Sequence, residues 1–153
     1  MIKTVEIKNL KVADHLSEGT LAFTASVWVN GKKVGDAKNS GRGGMTDVDL
    51  WERKGEQVRR NNELHNELAE YVRQFTWEFG QHRVDTYIDE LVEKEDMRQV
   101  LKKACRGKTL LRTPDRTYEE GEYDVIPRKF TKELGEGIRT KYGKDVFILN
   151  ETV

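Results

Sequence analysis

Apolar and polar residues alternate most regularly near the N-terminus, and this alternation predicts a sheet. From Leu21 to Val29 every second residue is apolar, which is the period of a strand with one buried face. Asn30 and Gly31 follow directly and suit the positive φ angles of a tight hairpin turn, so residues 32–38 are predicted to fold back as the partner strand. An earlier segment, residues 2–12, alternates with one change of phase, which predicts a strand with a bulge.

The middle of the chain carries apolar residues at helical spacing instead. One stripe predicts a long amphipathic helix: it contains Leu64, Leu68, Tyr71, Val72 and Phe75. A second stripe runs from Val84 to Ala104 across a charged segment, residues 93–96, which predicts either a kink or a turn between two helices. Before these stripes lies a polar stretch, in which Thr46 or Asp47 is predicted to cap the start of a helix.

The C-terminal third mixes short strands with one helix. Residues 108–113 and 121–127 predict two strands joined by a turn, and residues 146–149 predict a final strand. Between them, Thr131 is expected to cap a helix that Gly143 ends. The resulting order, β-β-β-helices-β-β-α-β, predicts an α+β fold with a mainly antiparallel sheet and helices packed on one face.

Composition narrows the class of protein. The chain has 153 residues, which predicts a single domain spanning residues 1–153, and its 27 basic side chains balance 27 acidic ones, so a uniformly basic coat for nucleic acid is not expected. Cys105 is the only cysteine, and the three histidines show no ligand spacing, so neither a metal nor a cofactor is predicted. We expect no signal peptide and no membrane span, because every apolar run is short.

The clearest candidate site is a glycine-rich loop, formed by Asn39, Ser40, Gly41, Arg42, Gly43 and Gly44. Glycines expose backbone N–H groups, and the loop lies between a strand and a predicted helix start, a setting in which phosphates bind. Arg42 adds donors for a bidentate contact. The spacing matches neither the dinucleotide fingerprint nor the P-loop. The alternative interpretation is therefore a flexible connector.

Other residues allow weaker hypotheses. Arg106 and Arg112 lie in a basic segment that offers phosphate contacts, or that is only a solvated helix end. Asp47, Asp49 or Glu6 with a divalent metal would suit a phosphodiesterase or nuclease, although these acids lack a defined spacing. Aromatic residues offer stacking faces to bases, or belong to the core: they include Trp28, Trp51, Trp77, Phe79 and Tyr118.

Two sequence patterns carry a resemblance to known proteins. The N-terminal one is V-E-I-K-N-L followed by F-T-A-S-V-W-V-N-G-K-K-V-G-D-A-K-N-S-G-R-G-G, and the C-terminal one joins K-T-L-L-R-T to K-Y-G-K-D-V-F-I-L-N-E. At these patterns the chain resembles small uncharacterised proteins of bacteriophages and prophages, which share the hairpin and the glycine loop. The resemblance leaves the helical middle unmatched, and it supplies a source but no activity.

The resemblance implies a binding role rather than catalysis. Some small phage proteins act in the cytoplasm of the bacterial host as symmetric oligomers that sequester the cyclic-nucleotide or ADP-ribose-derived signals of bacterial immunity. By this analogy the chain is expected to bind a phosphorylated small molecule or nucleotide through residues 39–44, with Arg106 or Arg112 completing the pocket. The alternative is a protein that inhibits a host defence enzyme by binding it, in which case the glycine loop is structural.

Overall fold

A computed structural model describes all 153 residues and shows a mixed α+β fold, as predicted. The chain forms two compact units, Met1–Asp96 and Met97–Val153. The prediction of one domain concerns whether the whole chain folds as one cooperative body, and it stays a prediction.

The first unit contains an antiparallel sheet of five strands, which are hydrogen-bonded in chain order. The strands are β1 (Val5–Val12), β2 (Phe23–Val29), β3 (Lys32–Asn39), β4 (Asp47–Lys54) and β5 (Gln57–Arg60). Asn30 and Gly31 have φ angles of 49° and 77° and form the predicted turn between β2 and β3. The predicted bulge in β1 is also present, because the pairing shifts between Lys8 and Lys11 and Asn9 has a φ of 54°.

The polar stretch after the glycine loop forms β4 and β5, so the predicted helix start at Thr46 or Asp47 is wrong. In β4, Leu50 is buried and Val48 packs against the core, whereas Asp47 and Asp49 are exposed. The segment therefore has the alternating burial of a strand. Its exposed positions carry aspartates, which are typical of helix caps, and this made a helix start the predicted structure.

Two helices cover one face of this sheet. They are α1 (Asn62–Val72) and α2 (Val84–Ala104), and a two-stranded ribbon, β6 (Thr76–Trp77) and β7 (Gly80–Gln81), lies between them in the chain. Leu68 and Ile88 on the helices are fully buried with Val27 of the sheet. α2 continues through residues 93–96, so the turn proposed there is not formed. No helix is long and apolar enough to cross a bilayer.

The second unit packs one helix on a small sheet. Its strands are β8 (Thr109–Arg112), β9 (Asp124–Ile126) and β10 (Phe147–Ile148), in the order β10-β8-β9, and its helix is α3 (Lys132–Tyr142). Thr131 caps α3 by accepting a hydrogen bond from the Leu134 N–H, and Gly143 ends the helix with a φ of 95°. Ile138 packs against Leu111 in the core. These elements agree with the sequence prediction.

Candidate functional site

The Asn39 side chain holds the glycine loop in place through four hydrogen bonds. Its Oδ1 accepts hydrogen bonds from the Gly41 N–H at 2.8 Å and from the Thr20 hydroxyl at 2.7 Å. Its Nδ2 donates to the Gly44 carbonyl at 3.0 Å and to Thr46 Oγ1 at 3.1 Å. An amide side chain has two donors and two lone pairs, so all four are occupied. Asn39 is only 9% exposed and has no capacity left for a ligand.

Gly41 is required by close packing. Its φ is +81°, and a Cβ at this position would lie 2.3 Å from the Leu16 carbonyl oxygen and 2.7 Å from the Ala22 Cβ. Its own carbonyl accepts hydrogen bonds from the N–H groups of Glu18 at 2.8 Å and Gly19 at 2.9 Å. Only glycine combines this φ with this proximity. The composition of the loop is therefore explained here by packing against residues 16–22.

The remaining loop residues lie at the surface. Ser40, Arg42 and Gly44 are exposed, as is Gly43, whose N–H donates to Thr20 Oγ1 at 3.3 Å. Since β4 follows the loop, no helix N-terminus adds to its backbone donors. The structure thus leaves the Arg42 guanidinium as the main group with which this loop would meet an anion. Ligand binding by residues 39–44 stays a prediction.

The two other predicted arginines belong to the second unit, whereas the loop belongs to the first. Arg106 is exposed just beyond the end of α2. Arg112 lies on β8, where its Nε donates to the Glu122 carbonyl at 2.7 Å and its guanidinium lies 5.9 Å from the ring centre of Tyr118. Their role in phosphate binding likewise stays a prediction.

Beside Ser40 of the glycine loop, one cavity has Lys11 as its only charged lining residue. Another cavity beside the loop is acidic. It has a volume of about 240 Å³, and its only charged lining residues are Asp89 and Glu93. Burial raises the pKa of Asp89, and a hydrogen bond from the Thr46 hydroxyl opposes this by lowering it. Two carboxylates without a cation repel an anion. This acidic cavity therefore does not suit the phosphate group for which the loop was selected.

A further cavity, of about 320 Å³, opens beside Met45 and Thr46, which directly follow the loop. We call it the basic cavity, because its lining includes His65, Arg73, His82 and Arg83. His65 lies on α1 and Arg73 follows the last residue of α1, whereas His82 and Arg83 immediately precede α2.

The two histidines of the basic cavity differ in how their ring nitrogens are partnered. His82 is 2% exposed, its Nδ1 lies 3.2 Å from Thr86 Oγ1, and its Nε2 lies 2.7 Å from Glu90 Oε2. His65 Nδ1, in contrast, is buried and has no hydrogen-bond partner. Such groups are rare in folded proteins, because a buried polar atom normally finds a partner.

The two arginines are held by neighbouring acids. Arg73 Nη1 donates to Glu70 Oε1 at 2.9 Å, and Arg83 donates through Nε and Nη2 to both carboxylate oxygens of Asp85 at 3.1 Å. A guanidinium has five N–H donors, so each side chain retains several for another acceptor. These acids orient the arginines without using all of their donors.

The metal-ligating side chains that a metal-dependent reaction needs are not clustered in the structure. Nowhere do three or more His, Cys, Asp or Glu side chains cluster in a way that would hold a metal ion. Glu6 lies on β1, whereas Asp47 and Asp49 lie on β4, with two strands between them. Glu6 is therefore not a neighbour of Asp47 and Asp49 in the sheet.

Comparisons with protein-family models, with curated proteins and with solved structures gave no match.

One sequence signal does point to the basic cavity. His65 precedes Leu68 and Val72 at helical spacing, so it belongs to the buried stripe of α1. A polar residue on a buried stripe needs a partner or a function. His82 offered no comparable signal, since it lies between a ribbon and a helix.

Proposed function

We propose that the protein binds a phosphorylated small molecule in the basic cavity. The observation that carries the proposal is the buried, unpartnered Nδ1 of His65 beside the guanidinium groups of Arg73 and Arg83, which retain N–H donors. Phosphate oxygens are strong acceptors, and hydrogen bonds from charged donors to them are about twice as strong as neutral ones. An anion in this cavity would provide acceptors for the guanidinium donors that Glu70 and Asp85 do not occupy.

Two further features support an anion. The volume, about 320 Å³, is at the lower end of the range for small-molecule sites, which begins at about 300 Å³. The first residues of α2, Val84 and Asp85, also line the cavity. A helix N-terminus carries unpaired N–H groups and a partial positive charge, and Asp85 already has Arg83 as its partner.

The resemblance to phage proteins extends this proposal to a biological role. A protein that holds a phosphorylated signal of bacterial immunity in the host cytoplasm, without transforming it, would counter host defence by sequestration. The glycine loop would then shape the entrance to the cavity through Met45 and Thr46, which line it.

Calorimetric titration with inorganic phosphate, ADP-ribose and a panel of cyclic dinucleotides tests the binding proposal. At least one should bind saturably, and Arg73→Gln or Arg83→Gln should weaken binding roughly 10-fold or more, since each removes a charged hydrogen bond. Arg42→Gln is the matched control, because Arg42 is an exposed arginine of the neighbouring loop. Loss of affinity in Arg42→Gln alone would place the ligand at the loop instead. No binding across the whole panel would overturn the proposal.

A second candidate, the inhibitor that binds a host enzyme, is favoured by the ribbon formed by β6 and β7. Trp77 and Phe79 are 40% and 76% exposed there and contact each other edge to face, with ring centres 4.9 Å apart. Exposed aromatic pairs of this kind are frequent anchors of protein interfaces. Capture of a host protein that is lost with Phe79→Ala and retained with Arg73→Gln would favour this candidate over the first.

A further inference from the structure

The five-stranded sheet has a second face, opposite the helices, which carries two tryptophans. Ala25 and Val27 of β2 point into the core, so Trp28 lies on the other face. On β4, Leu50 is buried, and Trp51 therefore shares the face of Trp28. Both indoles are partly exposed.

Basic side chains accompany these tryptophans across the strands. Trp28 pairs in register with Lys33 on β3, and Trp51 pairs with Arg60 on β5. Lys8 Nζ lies 4.1 Å from the ring centre of Trp28, and Lys33 Nζ lies 5.8 Å from that of Trp51. Both distances are within the range of cation–π contact. We call these five residues the outer stripe: Lys8, Trp28, Lys33, Trp51 and Arg60.

The distance between the two tryptophans of the outer stripe follows from the distance between the strands. Trp28 and Trp51 lie on strands separated by β3, so they are about 10 Å apart across the sheet, because neighbouring strands are roughly 4.8 Å apart. Trp28 Nε1 is buried and has no hydrogen-bond partner, so no polar contact accounts for this indole on an open face. The arrangement is two aromatic platforms with a cation beside each.

We propose that the outer stripe binds single-stranded nucleic acid. Unpaired bases would stack on Trp28 and Trp51 when Lys8 and Lys33 move from the ring faces to the phosphates, and Arg60 would also contact a phosphate. Stacking on aromatic side chains accepts any base, because every base has a π face, and a basic groove follows the backbone. This site is independent of the basic cavity, which shares no lining residue with it.

Acids lie on the same face as the outer stripe. Glu6 on β1 pairs directly with Trp28, and Asp36 and Asp49 pair across β3 and β4 beside a depression of about 340 Å³ that Lys11 and Lys38 also line. Asp36 also forms an ion pair with Lys33, with Nζ and Oδ1 3.0 Å apart. Lys33 would have to leave Asp36 to meet a phosphate. Removal of the Asp36 charge should therefore strengthen binding.

Tryptophan fluorescence tests the proposal directly. The probe is an oligothymidylate of about 12 nucleotides, within the usual site size of sheet-based single-strand binders. Trp77→Phe serves as the background, since it removes the only other tryptophan. We expect quenching on binding, and about 5- to 100-fold weaker binding with Trp28→Ala or Trp51→Ala. The conservative change Trp51→Phe keeps an aromatic platform and should lose much less affinity.

The charges give a second, independent measurement. Lys8→Gln and Lys33→Gln are surface changes that should each reduce the slope of log affinity against log salt by about 0.7, the value for one contact to a single strand. Asp36→Asn should tighten binding several-fold. Arg73→Gln should leave binding unchanged, so this proposal and the proposed function can fail separately. Quenching by a neutral oligosaccharide and not by the oligonucleotide, unchanged affinity in Trp51→Ala, or absence of a salt dependence would overturn the proposal.

Discussion

The glycine loop and the basic cavity lie close together in the chain, but they differ in how fully their polar groups are hydrogen-bonded. In the loop, the Asn39 amide makes all four of its hydrogen bonds, and the Gly41 carbonyl accepts hydrogen bonds from three backbone N–H groups. In the cavity, His65 Nδ1 is buried and unpartnered. The difference shows that a run of glycines can reflect the demands of packing. Polar groups left unpaired by the fold are the better guide to a binding site.

The largest effect on the loop should come from Gly41→Ala. Its Cβ would meet the Leu16 carbonyl oxygen at 2.3 Å, and its φ is +81°, so we expect the free energy of unfolding to fall by about 3–5 kcal/mol. Gly43→Ala is the matched control: its φ is +83°, but no atom lies within 4 Å of the added Cβ, which predicts a loss of about 1–2 kcal/mol. Urea denaturation measures both. Equal losses would show that the loop is not packed as described.

A smaller loss is expected for Asn39→Ala, about 2–3 kcal/mol, because the change leaves the Gly41 N–H and the Thr20 hydroxyl without their acceptor. Ser40→Ala, at the exposed neighbouring position, should change stability by less than about 0.5 kcal/mol. Urea denaturation again provides the measurement. If Asn39→Ala abolished phosphate binding while preserving stability, the contrast between a structural loop and a binding cavity would be wrong.

The smallest expected effect is the pH dependence of stability that arises from Asp89 in the acidic cavity. Burial raises the pKa of Asp89, so the native state binds this proton more tightly than the unfolded chain does. The contribution of Asp89 to stability therefore falls as pH rises from the ordinary Asp range through the raised pKa, and Asp89→Asn removes that fall. The stability of the wild type relative to the variant should decline with pH in urea denaturation.

Glu90→Gln is the matched control for this pH dependence. A hydrogen bond from Lys94 is the main cause that lowers the pKa of Glu90, and His82 contributes. The sign is then reversed: the stability of the wild type relative to this variant should increase as pH rises through the lowered pKa towards the ordinary Glu range. Parallel trends in the two variants would contradict the environments described for these carboxylates.

Elements whose residues all favour one structure were predictable from the sequence. The alternation from Leu21 to Val29, the Asn30-Gly31 turn and the Thr131 cap each combine a local preference with the matching pattern. β4 was not predictable in this way. Asp47 and Asp49 favour a helix start locally, and only the pairing of β4 with β3 makes the segment a strand.

The candidate site was less predictable, for a physical reason. His65 lies on α1 and Arg73 directly follows it, whereas His82 and Arg83 come after the ribbon. Only the path of the chain through β6 and β7 brings these residues together. No local spacing encodes that arrangement. Likewise, the hydrogen bonds that occupy Asn39 come partly from Thr20, on a separate segment.

The bulge in β1 has a consequence for assembly. β1 and β5 are the two edges of the five-stranded sheet, and an edge with unpaired backbone groups invites strand addition by a second copy and, beyond it, aggregation. β1 interrupts its edge at Asn9, and β5 is four residues long and entirely exposed, with Arg59 and Arg60 among them. Bulges, shortness and charge all discourage edge pairing. Pairing of sheet edges between copies of this chain is therefore not expected.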